Sequence, residues 1–258
     1  MSEPVFSGVG VALISVFRDD GSLDAQASAG LAERLVGLGM NAVIVAGSTG
    51  EAKELSREER DELLIAVRSV IPEDSGIALI AGTGGDTIDE AVDRTRRARE
   101  CGADGFLVLS PPASHDLPGY YAAVAMVADS KPVLAYHFPA VSNPGIGVDQ
   151  LGELPVVGLK DSSGDPERLL LTRFTWREPL YTGSSALLTM AGRSGCAGAI
   201  LALANVMPEL CVAAFAGDGD AQIELIQNHL AINQNFPSRI KELTAERFGT
   251  SAVTRLGT

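Results

Sequence analysis

The stretch IALIAGTGGDTIDEAVDRTRRARECGADGFLVL, residues 77–109, holds one complete unit of the fold. It opens on an apolar run, Ile77–Ala81, and closes on a second, Gly105–Leu109. Both are apolar almost throughout and do not alternate, the pattern of strands buried on both faces of a parallel sheet. Between them a glycine-rich turn leads to Asp86, a candidate helix cap, after which Ile88, Ala91, Val92, Thr95 and Ala98 recur at helical spacing as an inward stripe. Arg94, Arg96, Arg97 and Arg99 cluster on the same helix and could suggest an anion site. Because they share the helix with its apolar stripe, a solvated outer face is the better reading.

The same alternation repeats in both directions. Apolar runs occur at Val9–Val16, Ala42–Ala46, Pro132–Tyr136, Val156–Lys160, Leu180–Gly183 and Ala197–Leu201, which makes eight in all. Amphipathic segments lie between them. Leu31, Leu35 and Leu38 mark a helix stopping near Gly39, and Ser56-Arg57-Glu58-Glu59 is a capping box ahead of Leu63, Leu64, Val67 and Val70. Eight strand–helix repeats in a chain of 258 residues predict an α/β protein, a (β/α)8 TIM barrel. The rival, a doubly wound open sheet, calls for a glycine-rich nucleotide loop after its first strand, and Phe17-Arg18-Asp19-Asp20-Gly21 is no phosphate cradle. After Gly217 the pattern changes, and 218–236 and 238–248 read as two helices divided by Pro237. The expected organisation is a barrel over residues 1–216 with a short C-terminal helical extension over 217–258.

Composition narrows the function. With 20 basic against 33 acidic residues the net charge is −13, which disfavours nucleic acid and anionic membrane surfaces as partners. Cys101, Cys196 and Cys211 are scattered and odd in number, and no metal-binding spacing of Cys or His occurs, so neither a disulfide framework nor a metal site is expected. Met1-Ser2-Glu3-Pro4 does not open a secretory leader, and no apolar run reaches the ~18 residues of a membrane span, so a reducing, cytoplasmic setting is expected. Only four lysines are present. Lys53, Lys131 and Lys241 fall in polar or helical surface contexts, whereas Lys160 closes an apolar strand.

In a parallel barrel the site forms at the carboxyl ends of the strands. The expected arrivals there are Gly47-Ser48-Thr49-Gly50-Glu51, Gly82–Gly85, Ser110-Pro111-Pro112, Tyr136-His137-Phe138-Pro139, Lys160–Asp165 and Gly183-Ser184-Ser185. At the barrel mouth, desolvation penalises an ammonium and favours the free amine that carbonyl chemistry needs, which makes Lys160 a candidate nucleophile. The competing reading is an ion pair of Lys160 with Asp161 or another acid. Tyr136 could relay protons or simply pack with its hydroxyl satisfied. Gly47, Ser48 and Thr49 could cradle a carboxylate through amides and hydroxyls, or merely mark a loop. Glu51 reads better as a loop ion pair than as an acid or base, and His137, alternating away from Tyr136, as a packing residue. A carboxylate cradle, a phenol and a desolvated lysine at one mouth suit a 2-oxo acid held as an iminium.

These residues resemble the dihydrodipicolinate synthase / N-acetylneuraminate lyase family of pyruvate-handling barrels. The resemblance spans the barrel and rests on Gly47-Ser-Thr-Gly-Glu51, Tyr136-His-Phe-Pro139, Gly158-Leu-Lys-Asp-Ser-Ser-Gly-Asp165, Gly195-Cys-Ala-Gly-Ala-Ile200 and Ala204-Asn-Val206. The first loop, Phe17–Asp24, is also similar. The resemblance implies that Lys160 forms a Schiff base with pyruvate or a longer 2-oxo acid, that Tyr136 relays protons, and that Ser48 and Thr49 with the loop amides hold the carboxylate. With Gly47, Gly183 and Ser184 these complete the expected substrate-binding set. The implied activity is an aldolase or lyase joining or separating pyruvate and an aldehyde, without metal or organic cofactor, in a homo-oligomer (dimer or tetramer). A condensing synthase, a 2-oxo-acid dehydratase and a non-catalytic carboxylate binder are the alternatives.

The departures carry information too. Lysine-pathway synthases of this family place a tyrosine pair where Pro112-Ala113-Ser114 stands here, and an arginine for the second carboxylate where Val141 stands. The sialic-acid branch, closer in Ser48, in Pro139–Ser142 and in Ser162–Asp165, places acidic residues where Ser184 and Ser185 stand. These differences weigh against both a dipicolinate synthase and sialic acid as the substrate. The C-terminal helical tail is also shorter than is usual in the family.

Overall fold

In the computed structural model, residues 2–113 and 116–256 are described; Ser114 and His115 of the loop after the fourth strand lie outside them, as do Met1, Gly257 and Thr258. Eight parallel strands close into a barrel in sequence order. They are β1 Gly8–Ala12, β2 Ala42–Val45, β3 Ala78–Gly82, β4 Gly105–Leu109, β5 Val133–His137, β6 Gly158–Asp161, β7 Leu180–Thr182 and β8 Gly198–Leu201. Closure runs through β1 and β8, with Val9 opposite Ala199 and Val11 opposite Leu201. The helices around the barrel are α1 Ala25–Gly37, α2 Arg57–Val70, α3 Ile88–Glu100, α4 Leu117–Ala128, α5 Pro166–Thr175, α6 Leu188–Arg193 and α7 Pro208–Phe215. Three more, α8 Gly219–Glu224, α9 Ile226–Gln234 and α10 Ser238–Phe248, form the tail. The expected helix over 218–236 is therefore interrupted at Leu225, which ends α8 and begins α9.

Alternation along the strands divides the core in two. Ala12, Ile44, Ile80, Leu107, Tyr136 and Ile200 belong to the group filling the barrel, whose base is plugged by Phe6 packed on Tyr181 at 4.7 Å between ring centroids. Residues of the opposite parity, such as Val43, Leu79, Phe106 and Ala135, pack outward against the helices. Among the described residues no helix is long and apolar enough to cross a membrane.

Local signals act as their chemistry dictates. Ser56 and Glu59 exchange both bonds of the capping box, at 3.1 and 2.9 Å. Asp24 caps α1, and Gly39 takes a φ of +100° just past its end, a left-handed turn that favours glycine. Asp86 is not the cap of α3; Thr87 is, accepting from the Glu90 amide at 3.2 Å. The helix thus starts one position later than expected, and Ile88 sits 44% exposed, outside the buried stripe of Ala91, Thr95 and Ala98.

The first strand is shorter than its apolar run. Leu13–Val16 leaves the barrel yet stays buried, because Asn205 supplies backbone partners there: its Oδ1 accepts from the Ile14 amide at 3.1 Å and its Nδ2 donates to Ala12 O at 2.7 Å. The Ala204-Asn205-Val206 motif is thus a staple between the two strands that close the barrel.

Candidate active site at the barrel mouth

Lys160 lies in β6 opposite Tyr136 of β5 and Tyr181 of β7, on the inward face. Its side chain is buried and its Nζ sits 4.2 Å from the centroid of the Tyr136 ring, a cation–π contact. The next residue, Asp161, alternates outward. Its Oδ2 accepts from Arg168 Nε at 2.6 Å and its Oδ1 from the Ser163 amide at 2.8 Å. The ion pair of Lys160 with Asp161 therefore does not form. Among the described residues Lys160 makes no salt bridge, whereas two of the other three lysines do, Lys53 with Asp86 and Lys241 with Glu51, and the third, Lys131, donates to Ala103 O at 2.6 Å.

Tyr136 packs inside the barrel and stacks on Phe138 at 5.8 Å, while its hydroxyl accepts from Ser162 Oγ at 3.4 Å. Its ring satisfies the packing reading and its hydroxyl stays at the mouth. His137 points outward as alternation requires: its Nδ1 accepts from the Ile146 amide at 2.9 Å. Burial, with Arg168 nearby, holds its pKa down to about 4, against the partial opposition of Asp161. It is a neutral packing residue and not a proton donor.

After β2 the chain makes a short 3-10 turn, Ser48–Gly50, held from below by Ser15 Oγ on Gly50 O at 2.7 Å. Gly50 is pressed so closely to the segment that follows β1 that a Cβ there would lie 2.9 Å from Leu13 O. Gly47 and Ser48 join Tyr136 on the wall of one cavity of about 460 Å³. Thr49 is buried in the turn and does not line it. At the end of β7, Gly183 is tied by its amide to Asp161 O at 2.6 Å, and a Cβ on it would meet Ser162 Oγ at 1.9 Å. Ser184, also buried, is outside the cavity wall. Gly183 thus leaves room for Ser162, Ser162 reaches Tyr136, and Tyr136 covers Lys160, which lies behind that ring and not on the wall shared by Gly47 and Ser48.

Ser162 is among the expected arrivals at the mouth but not in the expected catalytic and substrate-binding set. The signal for it is the strand period of two: a residue two past Lys160 returns to the inward face.

The tail contributes more to the mouth than the sequence suggests. Lys241 of α10 is not a surface residue but fully buried, in an ion pair with Glu51, which is fully buried too. Burial lowers the Lys241 pKa, and the Glu51 contact works the other way. Lys241 Nζ donates to Val253 O at 2.8 Å and lies 4.1 Å over the Phe17 ring. The second Glu51 oxygen accepts from the amides of Arg255 and Leu256 at 2.7 and 2.8 Å. Arg255 in turn pairs with Glu59 at 2.5 Å and donates to Gly21 O at 2.8 Å. The last described residues are therefore strapped to the end of the Gly47–Glu51 motif. Phe236, Pro237 and Leu256 complete the cavity wall, with Leu109, Ser110 and Val141 from the strand-four and strand-five loops. A separate clasp joins the strand-seven loop to α9, Ser185 Oγ meeting His229 Nδ1 at 2.9 Å.

Comparison with known proteins agrees with this geometry. The family model described as the dihydrodipicolinate synthetase family matches residues 5–251. A 4-hydroxy-tetrahydrodipicolinate synthase of Methylococcus capsulatus is 34% identical over 246 residues, covering 87% of this chain and 83% of its own. One from Thioalkalivibrio sulfidiphilus is 33% identical over 252 residues, covering 90% and 84%. Among solved structures, a dihydrodipicolinate synthase from Aquifex aeolicus superimposes with a TM-score of 0.85 at 28% identity, covering 97% of this chain and 91% of that one. The pyruvate complex of the chloride-inhibited enzyme from Acinetobacter baumannii does so with a TM-score of 0.84 at 26% identity, covering 93% and 88%.

Proposed function

Because the chain belongs to the dihydrodipicolinate synthetase family, we propose that it is a class I, lysine Schiff-base enzyme that makes or breaks a carbon–carbon bond between pyruvate and an aldehyde. The observation that carries this reading is Lys160 itself, buried against Tyr136 with its neighbouring carboxylate committed to Arg168. An amine free of an ion pair at the carboxyl end of a barrel strand is placed for attack on a ketone.

In the proposed reaction Lys160 Nζ, as the free amine, adds to C2 of the 2-oxo acid, and the carbinolamine loses water to give a protonated iminium. In the cleavage direction the C4 hydroxyl gives up its proton, the C3–C4 bond breaks, and the bond electrons move into the iminium as an enamine. Protonation at C3 and hydrolysis then release pyruvate and regenerate the amine. In the condensing direction the enamine C3 attacks the aldehyde carbon instead. Tyr136, whose hydroxyl accepts from Ser162 at 3.4 Å and is otherwise uncommitted among the described residues, relays the protons. The amides and hydroxyl of Gly47 and Ser48 receive the carboxylate, with Thr49 shaping the turn beneath. Gly183, just past β7, makes room for Ser162 beside Tyr136, and Ser184 follows it behind the cavity wall. Glu51 is held by Lys241 and two amides, which supports a structural role and not that of a general base.

The barrel of residues 1–216 is assigned as the catalytic unit, and 217–258 as an extension that adds wall residues. Leu170, Leu171 and Phe174 of α5, exposed at 48, 51 and 76%, support a homo-oligomer, which light scattering would register. Three free cysteines with no disulfide among them are compatible with the reducing, cytoplasmic setting. The activity is tested by supplying 4-hydroxy-2-oxo acids and following pyruvate release. Lys160-dependent release is expected, and release that persists in Lys160→Ala refutes the assignment.

A further inference from the structure

We propose that the second substrate is an uncharged aldehyde with an apolar body, received against Leu109, Val141, Phe236 and Leu256; this rests on the Schiff-base reading above and adds the chemical class of the partner. The cavity that holds Gly47, Ser48 and Tyr136 continues along these side chains. Val141, Phe236 and Leu256 are 44, 39 and 37% exposed and line the same cavity as Tyr136, the ring that covers Lys160. Burying such surface against an apolar ligand is favourable, whereas a carboxylate placed there would lose its hydration without a counter-charge.

The charged groups along the same wall are already engaged. Lys53 pairs with Asp86 and Arg94 with Glu90, both at 3.7 Å. Arg94 Nη1 also donates to Gly84 O at 2.5 Å, and Glu51 is closed off by Lys241 and the strap. Arg60 is the exception among them, since its hydrogen bonds go to the carbonyl oxygens of Ala52 and Gly82 and, among the described residues, it makes no salt bridge, Glu90 acting on it only at longer range. It is the group through which a charged aldehyde could bind instead, and the test below includes it.

Position 141 sharpens the argument. The turn there is fixed by the amides of Val141 and Ser142 on Phe138 O, at 3.0 and 2.9 Å, so the valine side chain is presented by a defined backbone. Leu109 and Gly85 are likewise held in place by the Tyr120 hydroxyl, at 3.3 and 3.1 Å. One polar atom in this half is uncommitted. Ser110 Oγ is buried and, among the described residues, has no hydrogen-bond partner. The structure thus offers, in this half of the cavity, an apolar wall that suits the carbon skeleton of a simple aldehyde. The reaction balances without a co-reactant: the methyl carbon of pyruvate, as enamine C3, adds to RCHO, the aldehyde oxygen takes a proton, and hydrolysis frees a 4-hydroxy-2-oxo acid.

The test runs pyruvate with benzaldehyde and isovaleraldehyde against glyoxylate and succinic semialdehyde, with borohydride trapping of pyruvate in parallel. The expected result is a kcat/KM for the apolar pair at least about tenfold above that for the carboxylated pair, a margin typical of apolar-pocket discrimination. Phe236→Ala and Leu256→Ala are expected to erode that margin, and Val141→Arg to invert it. If the lysine adduct forms but the carboxylated aldehydes are preferred, or no apolar aldehyde reacts, the inference is overturned. A preference for carboxylated aldehydes that disappears in Arg60→Met would identify the arginine as the receptor. If no adduct forms, the Schiff-base reading fails, and this inference with it.

Discussion

Replacing Lys241 by methionine should cost more stability than any surface lysine could. The residue and its partner Glu51 are both fully buried, so the variant leaves a carboxylate in the interior without its counter-charge. Breaking a buried pair from one side costs about 3–5 kcal/mol. The lost bond to Val253 O adds about 1 kcal/mol. The lost cation–π contact with Phe17, 4.1 Å away, adds about 1–2 kcal/mol. Against this, the Arg255 and Leu256 amides still solvate one carboxylate oxygen, and methionine refills most of the volume. The net expectation is about 3–5 kcal/mol by urea denaturation. In the double variant Glu51→Gln/Lys241→Met no charge is stranded, and the glutamine oxygen can still accept both amides. It should recover about 2 kcal/mol or more of the loss, a coupling that a double-mutant cycle reads directly. If Lys241→Met lies within about 1 kcal/mol of the parent, the pair is not the fastening of the strap.

Two further predictions follow from the site and its surroundings. Tyr136→Phe keeps the ring over Lys160 and removes the relay, so the adduct with pyruvate should still form while kcat falls about 10²–10⁴-fold; an unchanged kcat would assign the proton transfer elsewhere. His137, with its pKa near 4 in the fold and 6.5 in the unfolded chain, stays neutral where the unfolded chain takes up a proton. Its contribution is therefore complete above pH 6.5 and lost as the pH falls towards 4, by about 3 kcal/mol in total. Imidazole titration by NMR should place its midpoint far below that of a free histidine, and a midpoint near 6.5 would contradict the burial argument.

The barrel was legible because strands buried on both faces leave nearly continuous apolar runs, and eight of them with helices between admit few architectures. Boundaries were less so. The run through Val16 continues past the end of β1 because the following loop is buried as well, and Asn205, far away in sequence, supplies its hydrogen bonds. Lys160 and Tyr136 could be placed on one face from strand register alone, and so could Ser162, had the period of two been carried one step beyond the strand. Lys241 could not. An isolated lysine in an amphipathic helix looks like a surface residue, and its partner lies 190 positions earlier, at Glu51. The contribution of Phe236 and Leu256 to the mouth was hidden for the same reason, since it depends on how the tail folds back over the barrel.

The central claim is that Lys160 is the Schiff-base residue, and borohydride reduction in the presence of pyruvate tests it most directly. With only four lysines in the chain, peptide mass mapping assigns the product without ambiguity. The account predicts one reduced pyruvate per chain, on the peptide containing Lys160, and none in Lys160→Ala. No adduct, or an adduct on Lys53, Lys131 or Lys241, would contradict it.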